Sequence, residues 1–305
     1  MAAPPPPLVF DTSFVPETGL SVPVADGIGR VTAPNAGPYT FTGTNSFLVG
    51  VERLAVIDPG PDDEDHLKAL LAAIGGRTVE AILLTHTHKD HSSLAPRLKA
   101  ATGAPVWFEG RHRLSRKPRL FELNGVADSS DWGLVPDRVL RDGEKVELGG
   151  MTLEVVATPG HCRNHLAFGV TGADVLLTGD HVMGWNSTLV SVPDGSMADY
   201  LQSLRKVIAL PYRHYVPAHG GSIRDGRGYA EALLAHREMR NAQVVEAVGK
   251  GARRLGDLLR AIYPGLKLQL VPAALMTLKA HVEYLEGVGA VRARRGVWGM
   301  RLRPR

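Results

Sequence analysis

Within six residues, Thr85-His-Thr-His-Lys-Asp-His carries four side chains that can ligate a metal: His86, His88, Asp90 and His91. The string follows Val79 to Leu84, an apolar run with the composition of a buried strand. Ser92 to Ala101 has helical spacing, so the four residues belong to a turn at the C-terminal end of a strand, where α/β sheets place ligands. In extended backbone His86 and His88 point the same way, and Asp90 and His91, opening the next helix, turn toward a second point. The spacing suits two neighbouring cations better than one. Neutral imidazoles and carboxylates bind Zn²⁺ at roughly 2.0–2.2 Å and leave a position open for water, and the same donors suit Mn or Fe. A cation so held lowers the pKa of water to around 7, so hydrolysis needs no serine or cysteine nucleophile.

Three further residues stand on glycine-bearing turns after expected strands: His161 in Thr-Pro-Gly-His, Asp180 in Thr-Gly-Asp-His, and His219 in Pro-Ala-His-Gly. With the first string they resemble the signature of the metallo-β-lactamase superfamily. That resemblance implies that His86, His88 and His161 hold one metal, that Asp90, His91 and His219 hold a second, and that Asp180 bridges them. It also implies attack by a metal-bridging hydroxide, with Asp90 orienting the attacking water or accepting its proton. His88 replaces the Glu expected in the oxygen-reducing di-iron branch, which disfavours redox chemistry. True β-lactamases of this fold generally lack a counterpart of Asp180, so at most weak β-lactamase activity is expected.

A closer resemblance rests on Ala33-Pro-Asn-Ala-Gly-Pro-Tyr, Gly43-Thr-Asn-Ser, Gly179-Asp-His-Val-Met-Gly-Trp, Pro193-Asp-Gly-Ser-Met and the basic C-terminal segment. These look like the β-lactamase-like protein 2 family, which joins the hydrolase domain to a C-terminal winged helix and whose animal members cleave single-stranded RNA. Cys162 stands where that family often has Thr, a departure from its pattern beside His161. The resemblance makes single-stranded RNA the first substrate expectation. The alternatives are a small-molecule thioesterase or lactonase similar to glyoxalase II, and a nucleic-acid-binding regulator with a vestigial metal site.

Other residues have two readings. Asp58 ends a strand as either a partner of the metal cluster or a cap of its own Pro-Gly turn. His165 contacts substrate, orients a ligand or packs in the core. Asn186, Ser187 and Thr188 line the pocket or an ordinary surface loop. His181 diverges from its neighbour Asp180 and is not expected to ligate; Cys162 is expected to be an inert buried thiol; Lys89 faces solvent. His66, His112, His214, His236 and His281 have no partner by spacing.

The elements that position these groups form an α/β pattern, with strands and helices twice in succession. This suits an αββα sandwich of the metallo-β-lactamase type with a small C-terminal winged-helix domain. The expected organisation is a flexible Pro-rich arm over 1–20, a catalytic domain over 21–239 and a basic domain over 240–305. In the last, Leu255 to Ile262 and Pro272 to Glu286 read as helices, and Ala290 to Arg303 alternates as a hairpin with Arg301 and Arg303 on one face. The 305 residues, 44% hydrophobic and 22% charged, suffice for a large core. Net charge is +4 but uneven: from Arg240 on, 13 Lys/Arg face 4 Asp/Glu, a net +9 on a mildly acidic body. One cysteine excludes an intramolecular disulfide. The absence of a secretory leader pattern and of any apolar run near ~18 residues points to a cytoplasmic protein without a membrane span. Oligomeric state is not legible.

Overall fold

The computed structural model describes residues 8–120, 122–296 and 299–305. Seven strands form a first sheet in sequence order: β1 (Ser21–Ala25), β2 (Ile28–Thr32), β3 (Asn45–Val49), β4 (Arg53–Ile57), β5 (Thr78–Leu83), β6 (Val106–Phe108) and β7 (Arg138–Val139). The first four pair antiparallel, and β4 through β7 pair parallel, joined by α1 (Glu64–Ile74), the short α2 (Lys89–Ser92) and α3 (Ala95–Thr102). The second sheet contains β8 (Lys145–Leu148), β9 (Met151–Ala157), β10 (Leu166–Val170), β11 (Val175–Gly179) and β12 (His214–Pro217), in the order β12-β11-β10-β9-β8. Its α4 (Met197–Ala209) links β11 to the parallel β12.

The two sheets face one another across a core that includes Phe47, Ile57 and Leu83 from one and Val155, Phe168 and Leu177 from the other. β3 and β11 are buried along their whole length because each is covered on both faces, which explains their lack of polar alternation. Outside the first sheet, Leu70 and Ile74 of α1 and Leu98 of α3 pack with Val56 and Ile82. Outside the second, Tyr200 and Leu204 of α4 pack with Leu176 and Tyr215. The four layers are thus helix, sheet, sheet, helix, as the residue pattern predicts. Helix ends follow local chemistry: Asp63 accepts the His66 amide at 2.8 Å to start α1, and Gly75, at φ 59°, ends it. The helix expected over 92–101 forms as α3, and α2 stays a separate turn ahead of it because the Leu94 amide donates to the Gly60 carbonyl at 3.1 Å and Pro96 has no amide proton to continue the ladder.

Two expected boundaries meet structure that continues across or into them. Residues 8–20 are not a free arm: the Asp11 amide donates to the Gly184 carbonyl at 2.9 Å, and the Arg30 guanidinium lies 4.7 Å over the Phe14 ring. Residues 1–7 lie outside the described residues. The boundary at 239/240 falls inside one continuous helix, α5 (Gly226–Gly249), in agreement with the single helix that the apolar stripe predicts from Gly228 to Gly249. Its first half sends Ala230 and Leu233 against the second sheet's helical layer, and its last turns send Val244 and Val248 into a separate small core. That core is completed by α6 (Leu255–Ile262), α7 (Val271–Gly287), β13 (Val291–Gly296) and β14 (Gly299–Pro304), through Leu258, Leu278, Val282, Val291 and Leu302. Among the described residues no helix is long and apolar enough to cross a membrane.

The irregular segment between β6 and β7 is anchored on α7 by charge. Arg116 pairs with both Glu122 and Glu283 at 2.6 Å, Arg119 donates to Glu283 at 2.9 Å, and Lys279 reaches Glu122 at 2.8 Å. Glu283→Ala leaves two half-buried guanidinium groups short of an acceptor. The expected loss is about 1–3 kcal/mol in urea unfolding, with faster amide exchange concentrated in residues 111–132.

Candidate metal centre

All the expected ligands come together at one edge of the sandwich, where β4, β5, β9, β11 and β12 end. The two sheets are joined there: the Leu166 amide opening β10 donates to the Thr85 carbonyl at 2.7 Å, and Asn45 opening β3 donates to the carbonyls of Pro217 and Gly220 at 3.0 and 2.9 Å. Tight turns bring the ligands inward. At Gly179, φ 53°, a Cβ would sit 2.7 Å from His165 Nε2 and 2.9 Å from Thr85 Cβ. At Gly160, φ 143°, it would meet the Tyr200 backbone at 2.4 Å. Only glycine permits these approaches, and they place Asp180 and His161.

Three nitrogens meet first: His86 Nε2 is 3.0 Å and His161 Nε2 2.8 Å from His88 Nδ1. Beside them Asp90 Oδ2 lies 3.3 Å from both His91 Nε2 and His219 Nε2. Asp180 stands between the groups, with Oδ1 3.3 Å from His219 Nε2 and 3.7 Å from His91 Nε2, and Oδ2 3.6 Å from His161 Nε2. Donors at ~2.0–2.1 Å from a tetrahedral ion stand about 3.3 Å apart, so these separations are those of cation ligands.

The tautomers point to the same use. Each ring has an acceptor behind it, which fixes a proton on the far nitrogen. The Leu189 carbonyl accepts from His161 Nδ1 at 2.7 Å, the Gly43 carbonyl from His219 Nδ1 at 3.2 Å, and Asp58 Oδ2 from His91 Nδ1 at 3.0 Å. Asp194 Oδ2 accepts from His88 Nε2 at 3.3 Å. The Thr85 hydroxyl donates to Asp58 Oδ2 at 2.6 Å and so accepts from His86 Nδ1 at 3.0 Å. Five bare lone pairs therefore face one small volume. His91 Nε2, His219 Nε2 and Asp180 Oδ1 are buried without a hydrogen-bond partner among the described residues. A buried polar atom left so costs about 1–3 kcal/mol, and a divalent cation removes that cost for several atoms together. The residues fit divalent cations.

Without a cation the charges show the same demand. Burial opposes a proton on His219, but the carboxylates of Asp180 and Asp90 push its pKa up to about 9. Burial likewise opposes one on His91, yet Asp90, Asp180 and Asp58 raise it well above the usual imidazole range. Burial, and then the neighbouring His88, pulls His161 down to about 4. Asp90 is the member that solvent reaches, its side chain 28% exposed, whereas the other ligands are nearly closed off.

Of the two readings of Asp58, the partner of the cluster is the one observed: at φ 50° it accepts the Thr85 amide at 2.7 Å and aligns His91. His165, expected among the substrate contacts, has both nitrogens engaged inside the protein. Its Nδ1 meets the Thr158 hydroxyl at 2.7 Å and its Nε2 accepts the Asp180 amide at 3.1 Å, so it orients the ligand turn instead. Asn186 and Ser187 are half-buried on the loop after β11, with the Ser187 amide donating to Asn186 Oδ1. Thr188 is buried, its hydroxyl donating to the Asp180 carbonyl at 2.8 Å. His181 is buried against the Tyr200 ring, away from the ligand groups. The Cys162 thiol is buried, which raises its pKa well above normal.

Sequence reasoning missed His112 and Asp194. His112 Nε2 donates to Asp194 Oδ1 at 2.7 Å, its Nδ1 meets the Thr87 hydroxyl at 3.0 Å, and Asn164 donates to that hydroxyl at 2.8 Å. Burial opposes ionisation of Asp194, but hydrogen bonds from His112 and His88 bring its pKa down to about 2. The partners are 82 and 106 residues away in the chain, beyond any spacing rule.

Comparison with known proteins agrees with this geometry. Residues 39–219 match the family described as "Metallo-beta-lactamase superfamily". The "Atrochrysone carboxyl ACP thioesterase" of Aspergillus fumigatus is 30% identical over 239 residues, covering 75% of this chain and 68% of the relative. A "Beta-lactamase-like protein 2 homolog" of Drosophila melanogaster is 25% identical over 276 residues, 86% of this chain and 89% of the relative. A solved metallo-β-lactamase family protein of Thermus thermophilus superposes with a TM-score of 0.75 at 28% identity, over 93% of this chain and 100% of that one. With the profile match spanning more than half of its length, this chain belongs to the metallo-β-lactamase superfamily and is a hydrolase of that superfamily.

Proposed function

We propose that the chain is a two-metal hydrolase, with Zn as the default ion, that cleaves phosphodiester bonds of single-stranded RNA. The observation that carries the dinuclear reading is the placement of Asp180, with one carboxylate oxygen toward His91 and His219 and the other toward His161. In this reading His86, His88 and His161 hold one cation and Asp90, His91 and His219 the other. When bound, such a pair supplies Lewis-acid polarisation of the electrophile and a hydroxide at neutral pH. The chain's own part is to hold the ligands rigid, to keep the centre largely dry, and to let Asp90, at the opening, orient water or take its proton. Asn186 and Ser187, on the half-buried loop beside Asp180, are assigned to substrate. The C-terminal elements from the end of α5 onward are read as a winged helix, and its basic charge supports a polyanionic substrate. The single free thiol suits a reducing, cytoplasmic setting.

A second reading is thioester hydrolysis, which the 30% identity to a protein named a thioesterase favours. Full-length protein loaded with zinc decides between them, because a cut near residue 239 would sever α5. It is given a labelled single-stranded RNA oligomer and, separately, an acyl thioester. RNA cleavage lost to a chelator and to His86→Ala, with the thioester untouched, is expected. Thioester turnover beside intact RNA would overturn the proposal. Asp90→Ala should slow cleavage by about 10²–10⁴-fold while RNA still binds. Asp58→Asn touches neither cation directly, yet loses the charge that orients His91. About 10–100-fold weaker metal retention is expected, read by metal analysis after dialysis against a graded chelator.

A further inference from the structure

We infer that the outer face of the β13–β14 hairpin is a docking surface for the phosphate backbone of single-stranded RNA; this rests on RNA being the substrate. In the antiparallel register Arg292 lies opposite Arg303 and Arg294 opposite Arg301. Residues two apart on a strand share a face, so four arginines form a two-by-two array. All four are exposed, and among the described residues none has a carboxylate within ion-pair distance. Four other basic groups of this region are paired. Lys250 pairs with Glu246, Arg260 with Asp257, Lys279 with Glu122 and Arg295 with Glu286. Of the nine basic groups of the C-terminal region without an ion pair among the described residues, these four share one face, while Arg240, Arg253, Arg254, Lys267 and Arg305 stand outside the array.

Like charges directly opposite on a ladder are destabilising, and a two-stranded sheet is marginal to begin with. The hairpin tolerates them because Val291 and Leu302 anchor its inner face in the small core, which also fixes the register that turns the arginines outward. Among the described residues no carboxylate offsets the repulsion; a row of phosphates does. Neighbours stand about 5 Å apart across the ladder and about 7 Å apart along it, an array able to follow a flexible backbone. Guanidinium groups also grip phosphate oxygens in pairs. An acidic protein partner is less well matched. Protein interfaces close around an apolar centre, and no large apolar side chain is exposed among the hairpin's described residues. Trp298, the one tryptophan of the sequence from Arg240 on, lies outside the described residues. The array reads backbone charge, not bases.

The test uses full-length zinc protein carrying Asp90→Ala to stop turnover. Binding of a labelled oligouridylate is followed by anisotropy between about 50 and 200 mM salt. Replacing Arg292, Arg294, Arg301 and Arg303 together by Gln should flatten the slope of log affinity against log salt by about 2.8, or about 0.7 per arginine. Each cross-strand pair replaced alone should flatten it by about 1.4, so the test survives failure of the fourfold variant. The thermal midpoint should hold or rise, since repulsion is removed. In the background with Asp90 intact, KM should rise with kcat unchanged. An unchanged slope with RNA still bound and cleaved would overturn the surface and leave the RNA reading standing. Hairpin-dependent binding without cleavage by the Asp90 enzyme would overturn the RNA reading instead. No RNA binding at all removes both. Polyglutamate bound with the same loss on substitution would overturn RNA in favour of an acidic protein.

Discussion

Five imidazoles can be buried side by side only if something behind each ring keeps its bare nitrogen turned inward. Left to itself, each would rotate toward any available donor, and the cluster would lose its common focus. Here the backing groups are two main-chain carbonyls, two carboxylates and one hydroxyl. They come from loops of both sheets: Gly43 before β3, Asp58 after β4, Thr85 after β5, and Leu189 and Asp194 after β11. No single βα unit could supply them. The sandwich is therefore what selects the tautomers, and the tautomers are what make the site a site for cations.

Asp180 depends most on this arrangement, because its two oxygens must face different groups of ligands. Its amide is held by His165 and its carbonyl by Thr188. Thr188 is gripped in turn by Arg237 of α5, whose guanidinium is buried over the Tyr200 ring without a carboxylate partner among the described residues. A buried guanidinium without a counter-ion costs several kcal/mol unless its field is used. The helix that leads into the C-terminal module thus also braces the ligand turn.

The ligand set was legible because its donors cluster within six residues and then recur at strand ends, each beside a glycine. The layers were legible too, since fully buried strands and amphipathic helices leave distinct patterns. Hydrogen-bonding residues behind the ligands were not, because Asp194, His112 and Thr188 are ordinary loop residues until folding brings them to a ring or a turn. Asp58 could be suspected from its strand end, but a turn cap would have looked the same. His165 had the same ambiguity: a histidine four residues from His161 suits substrate contact, ligand orientation or core packing alike until both its nitrogens are accounted for. The helix α5 was legible as one apolar-striped run from Gly228 to Gly249, while the boundary at 239/240 followed the change of charge, which need not coincide with a change of core.

That shared helix bears on why the C-terminal module exists. α7 holds the segment between β6 and β7 through Glu283, Arg116 and Arg119. In the same segment Ser115 donates to the Asp194 carbonyl at 2.7 Å, His112 reaches the Asp194 carboxylate, and the Trp132 ring packs edge-on against His112. Asp194 in turn fixes the proton on His88. A continuous path of hydrogen bonds and ion pairs therefore runs from the module to His88 of the candidate centre, and a second runs through Arg237 to Asp180. An appendage serving only to bind a partner would need neither path. Because both exist, the module belongs to the architecture of the centre, and whatever binds its outer face acts on a body already joined to the ligands.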